Sequence, residues 1–494
     1  MHALAALGLG FPVWLRATHW INVFFLGFLV RSGIQILMAY PRLYLNDDCT
    51  PGTEWLTVGA RRILRGRPWT TLEQEVPVSP WIAQPGGKAL GLGRHWHFVA
   101  ATFWVLNGVM YVALLFVTGE WQRLIPTSWS IVPAAWHTFL TYASFHSPPA
   151  SAFHPYDPLQ QLTYAAVVFL LGPFLIVTAA AQSPAIEAQA PWYPRLFGGR
   201  QVARSLHFLG LLAVVAFTVL HTALVIITGA GRNFGDIIFG QHTSDTGLAV
   251  VIGVALIAVM LAIYALTTVL SRRRPRFIQE TLGAFLSLWM TPLSRRTVSR
   301  QELPASAISP HFLVNGDPPA SAEYLALLWR DFAGYTLRVE GLVERPLECS
   351  LAELAALPRQ TQITRHNCIQ GWTGIAAWTG VCVTELLARA QPKPAAKYVV
   401  FWSYACDHAG QPFYETLSLE QARHPQTILA YAMNGRPLPM KHGAPLRLRV
   451  ETQLGFKMVK WLRRIELVER YSDIRGGQGG SREDNMYYEH LAGI

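Results

Sequence analysis

Five long apolar runs, at about 14–39, 97–118, 159–181, 205–229 and 247–270, constrain this chain more than anything else in it. Each is near or above the ~20 residues a helix needs to cross ~30 Å of hydrocarbon. Inside lipid no water is available to a free N–H or C=O, so such runs fold as helices. Charged residues are only 14% of the 494, which suits a large membrane part. Arginines beside membrane spans explain the net charge of +11 more simply than nucleic acid does, and no nucleic-acid partner is expected. Five cysteines without a Cys-x-x-Cys pair argue against a disulfide framework or a zinc site. The first residues lack a basic start and a small-residue cleavage site, so they are expected to be retained.

After Arg300 the pattern changes. Short β-rich runs, "YTLRVEGLVERP", "KYVVFWSY" and "PLRLRVET", alternate with turn residues and two helical patterns at 351–357 and 383–390. The expected architecture is an all-α transmembrane bundle over 1–275, an interfacial linker over 276–304, and a soluble α+β domain over 305–494. The stretch "IQETLGAFLSLWMTPL", 278–293, is too short to span and is expected to lie in the interface, as is 131–146.

The run "RSLHFLGLLAVVAFTVLH" carries His207 and His221. Fourteen residues at ~100° each leave the two side chains ~40° apart on one helix face, with ~21 Å of rise between them. Ionisable groups in a membrane are costly and usually face the bundle interior for a function. His19 opens the first run and His97 the second. Haem b takes two axial imidazoles from facing helices, and four histidines make two pairs. Successive spans alternate direction, so His97 meets His207 at one level and His19 meets His221 at the other. His95 competes with His97. Arg31 and Arg204 are candidates for haem propionates or for headgroups, and His137, His146 and His154 read as surface residues of a Pro-rich loop.

These pieces, with "RATHWINVFFLGFLVRSGIQIL", "HFVAATFWVLNGVMYV" and "PLQQLTYAAVVFLLGPFLIVTAA", resemble the di-haem, cytochrome b561-like subunits of formate dehydrogenase and nickel-iron hydrogenase over most of 12–230. The resemblance implies two b haems held by His19, His97, His207 and His221, and exchange of electrons with a membrane quinone.

In "RHNCIQGWTGIAAWTGVCVTELL", Cys368 stands beside Arg365 and His366, and cationic neighbours favour the metal-binding thiolate. Cys349, Cys382 and Cys406 read as buried structural cysteines. Residues 305–494 resemble the sulfite oxidase family of molybdopterin enzymes, which includes the molybdenum subunit of protein-methionine-sulfoxide reductase. The resemblance implies a molybdenum-molybdopterin cofactor with Cys368 as metal ligand, a soft thiolate suited to the metal. The stretch "NGRPLPMKHGAPLRLRVETQLGFKMVKWLRRIEL" is similar to the family's pterin-binding region. It implies cofactor contacts from Arg447, Lys460 and His442, and backbone contacts from Met458 and Val459. Ser403 matches a cofactor-contacting threonine, His311 is a further candidate for the cleft, and Gln370 stands where the reductase group has a glutamate.

Together the two resemblances imply a membrane oxidoreductase passing electrons between quinone, two haems and molybdenum, and reducing an S-oxide or N-oxide. The alternatives are sulfite-type oxidation with quinone as acceptor, and an electron-transfer subunit that docks another redox protein. An odd number of spans puts the soluble domain on the face of 40–96 and 182–204, beside His97 and His207. That face holds Arg42, Arg61, Arg62, Arg65, Arg67, Lys88, Arg94, Arg195, Arg200, Arg204 and the arginines after the fifth run, against Arg16, Arg123 and Arg232 opposite. In a cytoplasmic membrane the positive-inside rule places the soluble domain in the cytoplasm, where unpaired cysteines also belong. The twin-arginine look of "SRRRPRF" points to the periplasmic side instead.

Overall fold

The computed structural model describes residues 10–59, 69–144, 146, 156–241, 244–295 and 301–490. His154 and the four arginines 61, 62, 65 and 67 lie outside the described residues. Five described helices are long and apolar enough to cross a membrane: Val13–Leu37, Leu90–Val117, Pro158–Ala180, Arg200–Ile227 and Thr246–Arg273. Leu106, Val109, Leu170, Val219, Val251 and Leu261 on them are each more than half exposed. Such a surface belongs against lipid rather than water.

The second and fourth spans begin earlier than hydropathy suggests, at Leu90 and Arg200. Their first turns carry Arg94, His95, Arg200 and Gln201, which no apolar count would assign to a span. Packing explains the difference, because His95, Arg200, Gln201 and Ser205 are all buried. The third span passes Pro173, which has no N–H, through a π turn at Val167–Leu171, where the Gly172 N–H donates five residues back to the Val167 carbonyl. The 131–146 stretch forms the helix Ile131–Ala143, and 278–293 lies within the helix Pro275–Arg295. The latter packs on the second span, with Phe285 stacked on Phe103 at 5.2 Å.

The soluble domain holds two sheets. In one, Arg359–Asn367, Thr373–Cys382 and Ile428–Met433 run antiparallel in that order, and Arg436–Pro437 and Arg447–Arg449 also pair with the third strand. In the other the order is Leu347–Ser350, Thr336–Gly341, Leu462–Val468, Tyr398–Cys406 and Pro412–Ser418, with one parallel pair, Leu462–Val468 against Thr336–Gly341. Leu337, Val381, Val399, Phe401, Leu448 and Ile465 fill the core between them, all at most 1% exposed. The two expected helices are present at Leu351–Ala356 and Val383–Ala390, the first started by a capping box of Ser350 and Glu353.

The tail ties the soluble domain to the membrane helices. Arg276 donates to the Asp484 carbonyl at 2.7 Å, Gln279 to the Tyr488 carbonyl at 2.9 Å, and His95 pairs with Glu489. On its other side Lys457 is buried between Glu415, at 3.0 Å, and Glu483 of the tail helix Ser481–Met486. Burial and the neighbouring Glu483 push the Glu415 carboxyl well above its usual range. Breaking a buried pair on one side leaves a charge without compensation, at about 3–5 kcal/mol. Lys457→Met is therefore expected to lower the midpoint of thermal unfolding in detergent and to loosen the tail, read as faster proteolysis near residue 476. An unchanged midpoint would count against the triad as a stabilising link.

Candidate redox sites

The four span histidines lie as His19 near His221 and His97 near His207. The rings of His19 and His221 lie 6.5 Å apart. His97 and His207 face each other closely enough to interact electrostatically. The bonds at Nδ1 show how two of the rings are held. Ser32 Oγ donates to the Phe28 carbonyl at 2.6 Å, so its lone pairs are what His97 Nδ1 meets at 3.0 Å, and the Leu29 carbonyl is a second acceptor. Thr178 repeats this at His207: it donates to the Phe174 carbonyl at 2.7 Å and stands 3.2 Å from His207 Nδ1, and the Leu175 carbonyl is an acceptor beside the same ring. With both hydroxyls committed to backbone carbonyls, a proton on Nδ1 would satisfy these contacts and leave the Nε2 lone pair for a metal. Tyr164 holds His221 Nδ1 at 3.2 Å, and His19 Nδ1 is buried without a hydrogen-bond partner among the described residues. His95 uses both nitrogens otherwise, on the Gly91 carbonyl at 2.7 Å and on Glu489. That geometry favours His97 over His95 as the residue facing a haem.

Cys368 opens the loop of a hairpin whose strands pair down to Asn367 and Thr373. The Cys368 N–H donates to the Trp372 carbonyl, and the Gly371 N–H to the Cys368 carbonyl, both at 3.0 Å. Gly371 has φ +104°, a conformation that strains any L side chain, and a Cβ there would also press on Arg204 Nε at 3.2 Å. This loop sits on the first turns of the fourth span. Gln201 donates to the Gly371 carbonyl at 2.9 Å and to Thr373 Oγ1 at 3.1 Å, and Arg200 donates to Asn367 Oδ1 at 3.2 Å. Arg204 donates to the Tyr40 and Arg42 carbonyls at 2.7 and 2.9 Å. His207 follows on the same helix within one turn of Arg204.

The thiol opens on a cavity of about 520 Å³, also lined by Ser403, His442, Arg447, Met458 and Lys460. Val459 and His311 lie off its wall, Val459 in the core between the sheets and His311 exposed. Ser403 Oγ donates to the Lys460 carbonyl at 2.7 Å, fixing the lysine backbone rather than facing outward alone. Among the described residues neither Arg447 nor Lys460 of this cavity makes an ion pair. Arg447 is 3% exposed, stacks on Trp378 at 4.6 Å and leaves its Nε without a partner among the described residues; Lys460 donates to the Asn315 carbonyl at 2.6 Å and the Lys441 carbonyl at 3.0 Å. Burial, followed by the charge of a neighbouring arginine (Arg449 for Arg447, Arg447 for Lys460), lowers the pKa of both well below the usual range, and burial with Arg447 and Lys460 holds His442 at about 3. Such a site calls for an anion, and the phosphate of a pterin cofactor fits it.

The environment of Cys368 corrects one expectation. Arg365 turns away to Glu187 and to Asp47 at 3.2 Å, and His366 bonds Arg449 at 3.0 Å. Burial pushes the thiol up to about 12, so its sequence neighbours do not activate it; a bound cation would have to hold the thiolate. Among the described residues no group of three or more His, Cys, Asp or Glu could hold a metal ion. A metal at Cys368 would thus need ligands from its own cofactor. The reading of Cys406 as buried is also corrected: it is exposed, and Cys349 and Cys382 are only partly buried. Arg31 and Arg204 both donate to backbone carbonyls, but Arg31 keeps Nε and Nη1 buried without a hydrogen-bond partner among the described residues.

Sequence reasoning missed what the loop between the first two spans does. Leu72, Glu75 and Leu90 line the same cavity as Cys368, as do Arg482 and Tyr488 of the tail. Gln370 donates to the Ala39 carbonyl at 3.1 Å, which makes it a docking residue. The Thr70-x-x-Glu73 spacing, whose Glu73 carboxylate accepts from the Thr70 N–H at 3.3 Å, is a local sign of order there.

Residues 10–240 match the family described as prokaryotic cytochrome b561, and residues 326–474 that described as oxidoreductase molybdopterin binding domain. YedZ1 of Azospira oryzae, named as a putative protein-methionine-sulfoxide reductase subunit, is 36% identical over 157 residues, 32% of this chain and 55% of its own. MsrP of Xanthomonas axonopodis pv. citri, named as the catalytic subunit of protein-methionine-sulfoxide reductase, is 37% identical over 164 residues, 31% of this chain and 49% of its own. The chain thus spans about half the length of these relatives. Among solved structures, sulfane dehydrogenase SoxCD of Paracoccus pantotrophus aligns with 28% of this chain and 38% of its own, at 28% identity and a TM-score of 0.25.

Proposed function

From a chain that joins a prokaryotic cytochrome b561 domain to an oxidoreductase molybdopterin-binding domain, and is thereby a membrane molybdopterin-dependent oxidoreductase, we propose a quinol-driven reductase of S-oxides or N-oxides. The observation that carries this reading is the seating of the Cys368 loop on the fourth span through Arg200 and Gln201, about two turns before His207. When bound, two haems would carry electrons singly from a membrane quinol, and the molybdenum-pterin would exchange an oxygen atom with substrate. His19 with His221 and His97 with His207 would hold the haems. Cys368 would ligate molybdenum, Arg447 and Lys460 would neutralise the cofactor phosphate, and His442 and the Met458 backbone would flank it. The surrounding protein fixes those groups before substrate arrives, so little reorganisation is left to the reaction.

The test is purified full-length protein assayed for two haems and one molybdenum per chain, then for oxidation of a short-chain quinol coupled to sulfoxides and amine N-oxides. Turnover only with sulfite or related reduced compounds, with quinone as acceptor, would replace the reading with the oxidative one. Full cofactor loading with no turnover of any small substrate would favour a docking subunit.

The soluble domain is assigned to the cytoplasmic side of a cytoplasmic membrane. Arg42, Arg200 and Arg204 serve contacts inside the protein, but Arg272, Arg273 and Arg274 at the end of the fifth span stay exposed, where headgroups would lie. Protease added to sealed spheroplasts is expected to leave residues beyond 300 intact. Their cleavage would put the domain outside.

A further inference from the structure

The molybdenum cavity takes one of its walls from the membrane domain, and that wall carries an acid. Glu75 follows the short 3-10 turn Thr71–Gln74, is 7% exposed, and lines the cavity that Cys368 opens on. Among the described residues its carboxyl makes no hydrogen bond or ion pair. The other carboxylates on the wall are differently placed. Asp407 accepts from the Ala409 and Gln411 N–H groups and from Asn485, while Asp317 is exposed. Gln370, two residues after the thiol, is neutral, and its amide is consumed by Asn315, Trp372 and the Ala39 carbonyl. No acid of the soluble domain is therefore buried and free at this cavity among the described residues.

The geometry points to Glu75 as the proton donor for oxide reduction at this site, a catalytic carboxyl contributed by the membrane domain. The inference rests on the reductase reading above. In that reaction the substrate S–O or N–O bond breaks. Two electrons arrive from the membrane quinol, and two protons convert the departing oxygen to water. Glu75 would deliver those protons one at a time and recover each from cavity water. The groups facing it suit that role. They are Arg482 and Tyr488 from the tail, and Lys88 from its own loop. Arg482 lines the cavity, where it can hold an oxide oxygen, and is itself anchored by His408 at 3.2 Å. Burial holds the Glu75 carboxyl above its usual range, against the pull of Lys88 and Arg482, which favours a protonated donor.

The test compares wild type with Glu75→Gln in the full-length holoenzyme. With reduced viologen as donor and a sulfoxide as substrate, kcat is expected to fall about a hundredfold, the lower end of general-acid contributions, with KM nearly unchanged. The fall of wild-type rate at rising pH should be absent in the variant. Redox-poised infrared difference spectra should show a carboxylic-acid C=O band in wild type and none in Glu75→Gln. Equal kcat and pH profiles, or a band that persists in the variant, would overturn the proposal. If Glu75→Gln loses molybdenum, Glu75→Asp is measured instead: a retained pH limb with reduced kcat supports the role, and wild-type kcat overturns it. A wild type that reduces no oxide defeats the reductase reading; the infrared comparison then still decides whether Glu75 changes protonation with the redox state of the site.

Discussion

Cys368→Ser is expected to lower oxide-reducing turnover by about a hundredfold or more while the reduced b-haem spectrum stays intact. Even the outer partners of metal ligands are worth about 10–100-fold, and Cys368 is assigned to the metal itself. The hydroxyl that replaces the thiol is a harder and far weaker acid, so it would neither ionise in this buried loop nor match a soft metal. The fold should survive, because the loop is closed by the backbone bonds of Cys368, Gly371 and Trp372 rather than by the sulfur. Molybdenum per chain, turnover and the haem spectrum together check the result. Turnover within a few-fold of wild type would remove Cys368 from the site.

His207→Ala is expected to remove one of two haems and to abolish quinol-driven turnover. Reduction by viologen should continue, since a small soluble donor reaches the cavity without the membrane. The variant also leaves Thr178 Oγ1 without the ring it meets at 3.2 Å, a secondary loss on the order of 1 kcal/mol. Haem content and the two donor assays decide the matter. Two retained haems would break the His97/His207 pairing, and equal losses with both donors would mean that the substitution disturbed the docked cavity as well.

His207 could be named from the residues of its own helix, whereas Cys368 was named only through the resemblance of residues 305–494 to the sulfite oxidase family. Imidazoles in apolar helices are rare enough to stand out, and connectivity alone set their levels, because a helix has a fixed rise and neighbouring spans alternate in direction. The seating of Cys368 beside Arg365 and His366 misled, however. Adjacent residues on a strand point to opposite faces, so Arg365 left for Glu187 while His366 turned to Arg449. The thiol ended in a buried loop, its acidity governed by desolvation.

What the sequence by itself determined were the elements whose signal is local: five spans with their histidines, and three strands and two helices of the soluble half. Each depends on the periodicity or length of one continuous stretch. Only the tertiary structure decided what lies between the halves. His95 is separated from His97 by Glu489, nearly four hundred positions away, and Glu75 reaches the cavity of Cys368 from a loop that shows no sign of it locally. The physical reason is that a buried polar side chain is specified by the partner that satisfies it. In this protein those partners come from distant segments that meet only when the tail and the first loop close over the membrane helices.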